Sequence, residues 1–68
     1  MIHQPKRGTR NVNEQFYQGE RERIELLNRE FFKDIQLTEE ENAVLVWLCS
    51  NDWHTVRAVV SAFKKVKG

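Results

Sequence analysis

The sequence predicts an all-α fold: a small three-helix bundle of helix-turn-helix-like form, preceded by a flexible basic N-terminal arm. Three observations predict it. An apolar period of 3.6 residues runs through residues 13–35, a capping box stands at Thr38–Glu41, and a second apolar period fills residues 53–66. The expected helices are therefore about 13–35, 39–50 and 53–66, with residues 1–12 as the arm and 13–68 as one domain.

The chain has 68 residues, a size at which folding buries only about 60% of the unfolded surface. A core this small supplies about 3–5 kcal/mol. Cys49 is the only cysteine, so no internal disulfide can add to that, and its place in an apolar run reads as a small buried hydrophobe with an inert thiol. Association remains as a source of further stability, which makes a second copy of the chain a candidate partner.

Residues 1–13, MIHQPKRGTRNVN, contain Pro5, Gly8 and little that could pack, hence the expectation of flexibility. Lys6, Arg7 and Arg10 would then be free to reach phosphates. No apolar segment follows them, as a signal peptide requires, and no stretch approaches the ~20 apolar residues of a spanning helix. A cytoplasmic protein with no membrane partner is the expectation. Met1-Ile2-His3 places an imidazole third from an amine, a geometry able to chelate Cu(II) or Ni(II). No Cys/His cluster supports it, so neither a metal nor any other cofactor is expected.

Asn13 is a candidate N-cap for the first helix. Tyr17, Ile24, Leu27, Phe31 and Ile35 form its apolar stripe, Gly19 weakens its first turns, and Glu22, Glu25, Arg29, Glu30 and Lys33 collect on the opposite face. Leu26 and Phe32 fall outside the stripe. Together with Glu22, Glu25 and Glu30 they form a candidate protein interface.

In Leu37-Thr38-Glu39-Glu40-Glu41, Thr38 can accept from the N–H three residues on while Glu41 reaches back to the N–H of Thr38. The extra carboxylates suit the positive end of a helix. They cannot converge on one ion, because consecutive helical side chains diverge. The following run AVLVWLC, Ala43–Cys49, is rich in strand-forming residues, yet the capping box decides for helix. Its side chains point all the way round, so it is expected to be covered on nearly every side as the centre of the core, Trp47 included.

Ser50-Asn51-Asp52 breaks that run with turn-forming residues, and Asp52 can cap the third helix through Thr55. Val56, Val59, Val60, Phe63 and Val66 then form a continuous stripe. Two helices joined by three residues have helix-turn-helix proportions. His54, Thr55, Arg57, Ser61, Lys64 and Lys65 would lie on the exposed start and flank of the reading helix, where such side chains contact bases or phosphates. Trp53 is the more exposed tryptophan on this reading. The turn lacks a glycine, and Val46 or Trp47 stands where a close helix crossing favours alanine.

The formal net charge of +1 is unevenly spread: residues 1–13 carry +3, residues 14–41 carry four basic and nine acidic groups, and residues 42–68 carry four basic and one acidic. The basic ends suit double-stranded DNA and the acidic middle suits a protein partner. There is no Gly-rich phosphate loop and no zinc spacing, and Asp52 and His54 have no placed nucleophile, so an enzyme is not expected and no catalytic residue is assigned. The expected function is a small DNA-binding regulator. The alternative is an interaction or inhibitor module using the acidic first helix. In size the chain resembles the accessory proteins of phages and mobile elements.

Overall fold

The computed structural model describes all 68 residues and is built of helices alone: α1 (Glu14–Leu27), a π-helical segment (Asn28–Phe32), α2 (Glu39–Cys49) and α3 (Trp53–Lys67). Each α-helix begins where a local side chain meets its orphan N–H groups. Asn13 Oδ1 accepts from Phe16 N at 2.7 Å and Asp52 Oδ1 from Thr55 N at 2.8 Å. At Thr38 both halves of the capping box are present, with Thr38 N donating to Glu41 Oε1 at 2.8 Å and Glu41 N to Thr38 Oγ1 at 3.1 Å. Thr38→Ala removes one half of that exchange and is expected to lower the stability by about 1 kcal/mol, read as a lower urea midpoint at unchanged slope.

The bundle is organised by α1, against which both α2 and α3 pack; α2 and α3 meet little beyond their shared turn. The core is Ile2, Ile24, Leu27, Val46, Cys49, Val56 and Val60, with Leu26, Phe31, Phe32, Leu37, Leu45 and Leu48 half-buried around it. Every piece of the chain contributes, including the arm.

The arm is where structure and expectation part. Residues 1–4 are pinned rather than flexible: the Met1 amine donates to the carbonyl of Ile35, and Ile2 inserts its side chain into the core at 2% exposure. Two asparagines clamp the backbone. Asn28 accepts from Ile2 N at 2.7 Å and donates to Ile2 O at 3.1 Å, while Asn42 does the same for His3 at 2.7 and 3.1 Å. A short peptide whose N–H and C=O groups are both matched by side-chain amides has its desolvation compensated, so one isoleucine suffices to hold it.

The first helix also departs from a regular α-helix over its last part. From Asn28 the hydrogen bonding widens to the π pattern, which lengthens the turn and shifts the side chains beyond it relative to the α1 stripe. Phe32 is thereby brought against the core, where an unbroken helix would have left it outside; the helix then ends at Phe32 rather than at residue 35, and Ile35, beyond the turn that follows, is 48% exposed.

The apolar run of α2 is not covered all round. Val46 and Cys49 are buried and Leu45 and Leu48 partly so, but Val44 is 57% and Trp47 67% exposed. The cause is chain length. With one helix to lean on and a short arm beside it, α2 has neighbours on about half its circumference. Trp47 is consequently outside, whereas Trp53 is half-buried between two guanidinium groups, Arg23 at 5.8 Å and Arg57 at 5.3 Å from its ring centre. The expected order of the two tryptophans is reversed.

Candidate nucleic-acid interface

Helix α3 is the one helix without a carboxylate, and it carries Arg57, Lys64, Lys65 and Lys67. Its buried side is fixed by Val56 and Val60, so the outermost positions are His54, Ala58, Ser61, Ala62 and Lys65, at i, i+4, i+7, i+8 and i+11, all exposed. Thr55 flanks this strip on one side, Arg57 and Lys64 on the other. Small side chains at 58, 61 and 62 make the centre of the strip low, with Arg57 and Lys64 along one flank and Lys65 at its end.

Arg57, Ser61, Lys64 and Lys65 come together with Leu26 and Val60 in an open groove of about 590 Å³ between α3 and α1. Of the four cations on α3 only Lys64 has an acidic partner, Glu30 at 3.5 Å; Lys67 lies over the Phe31 ring at 5.7 Å. The cationic groups are therefore mostly unneutralised.

The arm's basic residues are placed differently. Arg7 makes a two-point pair with Glu14 at 2.7 and 3.2 Å and lies 4.3 Å from the Tyr17 ring centre. Arg10 makes a second two-point pair, at 2.6 and 3.1 Å, with Glu20, whose side chain is fully buried. Only Lys6 of the three is without an acidic partner. Arg10 also shares a hollow with Ala43 and Trp47 of α2, so the arm lies beside α2 while the α3 cations border α1. The arm and α3 do not form one basic surface.

The candidate acidic interface is likewise dispersed. Glu25 pairs with Arg21 at 3.1 Å and Glu30 with Lys64; Glu22 is exposed without an ion pair, Leu26 lies in the α3 groove, and Phe32 packs beside α2.

Two charged residues that the apolar period passes over prove central. Burial pushes the Glu20 carboxyl up, but hydrogen bonds from Arg10 and Gln4 and the charges of Arg10 and Arg23 outweigh it, leaving it below its usual 4.5. Arg23, 8% exposed, donates from Nε to the carbonyl of Cys49 at 2.6 Å and so ties α1 to the end of α2. Gly19 makes room for it: a Cβ there would stand 3.2 Å from Arg23 Nη1, so this glycine serves packing at some cost in helix propensity. The visible signal is that Glu20 and Arg23 stand four residues before Ile24 and Leu27, inside the stripe.

No His, Cys, Asp and Glu side chains gather as a metal-binding group. The Met1 amine and the Ile2 and His3 amides, which an N-terminal copper or nickel chelate would use, are all engaged as donors. Burial pushes the Cys49 thiol up to about 12, which keeps it protonated and unreactive at neutral pH. No helix is long and apolar enough to cross a membrane. No protein-family model, curated protein or solved structure matches the chain.

Proposed function

We propose that this protein binds double-stranded DNA through the outer face of α3, as a small regulator. The observation that carries the reading is the form of that face: a low strip of Ala58, Ser61 and Ala62 bordered by Arg57, Lys64 and Lys65, on a helix with no carboxylate. A helix that enters a groove must come close to the base edges, which small outward residues permit, and must meet phosphates, which Arg57 and Lys64 on one flank and Lys65 at the end of the strip would do, with the Thr55 hydroxyl on the other flank. The three-residue turn Ser50–Asp52 leads into the helix from α2, and His54, Thr55 and Arg57 stand at its start, where reading helices make most of their base contacts. Lys64 would exchange its solvent-exposed pair with Glu30 for a phosphate at little cost.

The arm has a smaller part in this reading than its composition suggests. Arg7 and Arg10 already face carboxylates, which leaves Lys6 as its phosphate contact. Glu39 and Glu40 at the exposed start of α2 repel a phosphate backbone, as do Glu22 and Glu25 on α1, so the duplex would lie on the outward side of α3, opposite its packed face.

Fluorescence anisotropy with a mixed-sequence duplex across a salt series tests this. Binding is expected to weaken with salt at a log–log slope of about −0.9 per neutralised phosphate. Arg57→Glu/Lys65→Glu is expected to abolish it, while Arg7→Ala leaves it unchanged. Absence of binding at low salt, or binding indifferent to the double substitution, would overturn the proposal.

A further inference from the structure

The apolar stripe of α3 outruns the core it belongs to. Val56 and Val60 are buried; Phe63 sets its ring edge against Phe31 at 5.6 Å between centres yet stays 40% exposed; Val66, one turn on, is 89% exposed. Lys64, Lys65 and Lys67 stand on the same last turns of the helix, Lys67 over the Phe31 ring and Lys64 beside Glu30. The end of α3 therefore combines an exposed apolar pair with three lysines.

Its counterpart in charge lies at the same end of the molecule. Where the chain enters α2, Phe32, Leu37, Val44 and Leu45 line a cavity of about 380 Å³ whose remaining walls are Glu40 and Glu41. Glu39 adjoins them in sequence, and neither it nor Glu40 has an ion pair. Phe31, which carries Phe63, is packed edge-on against Phe32 in the cavity wall, 6.1 Å between ring centres. Phe31 and Phe32 thus link the tip, apolar and positive, to the cavity, apolar and negative.

We propose that this surface is self-complementary: the α3 tip of one copy, Phe63 and Val66, seats in the Phe32–Leu37–Val44–Leu45 cavity of a second copy, and the second copy's tip seats in the first. A two-fold axis requires one patch to carry both halves of the contact, which the Phe31–Phe32 link between tip and cavity provides. The three lysines would meet Glu39 and Glu40 across the interface and fix the register. Covering Val44, Phe63 and Val66 adds apolar burial to a chain whose own core is seven residues. The inference does not rest on DNA binding, although it leaves His54, Thr55, Arg57 and Ser61 uncovered, and a two-fold pair would present two such helices to a duplex.

Sedimentation equilibrium of the full chain at rising concentration decides it. The mass is expected to climb from one chain toward two, and to fall back at high salt. Val66→Glu is expected to hold the protein monomeric with an unchanged thermal melt, because that side chain makes no core contact. Glu39→Lys/Glu40→Lys and Lys65→Glu/Lys67→Glu are each expected to weaken association by about tenfold or more. A mixture of the two variants, and a single chain carrying all four changes, are expected to restore it. A wild-type chain that stays monomeric overturns the proposal. So does association that survives Val66→Glu, or a four-substitution chain that fails to associate while its melt shows it folded.

Discussion

A chain lacking Met1–Gln4 is expected to lose its cooperative unfolding transition at 25 °C. Ile2 is one of seven core side chains, and truncating a buried isoleucine to alanine costs about 2–5 kcal/mol. Removing the peptide altogether also strips both partners from the amides of Asn28 and Asn42 and one donor from buried Glu20. Against a total of about 3–5 kcal/mol for a core of this size, the loss consumes the stability. Ile2→Ala separates the two contributions. It keeps the backbone clamped, so the variant is expected to remain folded in the cold with a urea midpoint reduced by half or more, and its amides at Ile2 and His3 to remain slow in hydrogen exchange. A truncated chain that melts like the full one would show that the arm contributes nothing to folding.

That an arm read as flexible is structural follows from what sequence patterns record. The three helix starts were legible because each is a local exchange: Asn13 with Phe16, Thr38 with Glu41, Asp52 with Thr55, all three residues apart. The stripes were legible where the helix is regular, as at Ile24, Leu27, Val56 and Val60. The clamp on residues 2 and 3 spans 26 and 39 positions and uses amide side chains, which carry no period. Its trace is indirect. Asn28 stands four residues after Ile24 and Asn42 four before Val46, each a polar, helix-indifferent side chain on an inward face, and such a residue implies a buried partner from elsewhere in the chain. The π-helical turn at 28–32 is legible only as its consequence, a phase slip that moves Phe32 in, while Ile35 is exposed because the helix has ended before it. The apolar run of α2 misleads for the opposite reason: composition states how much surface a helix would like covered, and the number of neighbours decides how much is. On the candidate interface, the composition of α3 identified the cations, whereas the neutralisation of Arg7 and Arg10 depended on two glutamates on the first helix.

Glu20→Gln is expected to destabilise the fold by about 3 kcal/mol, the low end of what breaking a buried pair costs, because Arg10 keeps 30% exposure and can partly rehydrate. The substitution keeps the shape of the side chain and its hydrogen bond from Gln4 but leaves the Arg10 guanidinium, whose Nε is already buried without a partner, facing a neutral amide. The arm is expected to loosen first, seen as faster exchange at residues 2–4, with Arg7 and its exposed pair to Glu14 too weak to hold it. The same carboxylate governs the response to acid. Its value in the folded state lies below the usual 4.5, so the unfolded chain binds a proton more readily than the folded one. Its contribution is therefore complete above about pH 4.5 and is lost as the pH falls through the folded value. Asp52, lowered by the N–H of Thr55 that it caps, and Glu14, lowered by Arg7, act with the same sign. Urea midpoints of the native chain are expected to be level from pH 7 to about pH 5 and to drop below pH 4.5, whereas those of Glu20→Gln start lower and drop less. Parallel curves for the two chains would mean that the acid sensitivity belongs to Asp52 and Glu14, and that the buried pair is held in place by the fold rather than holding the arm to it.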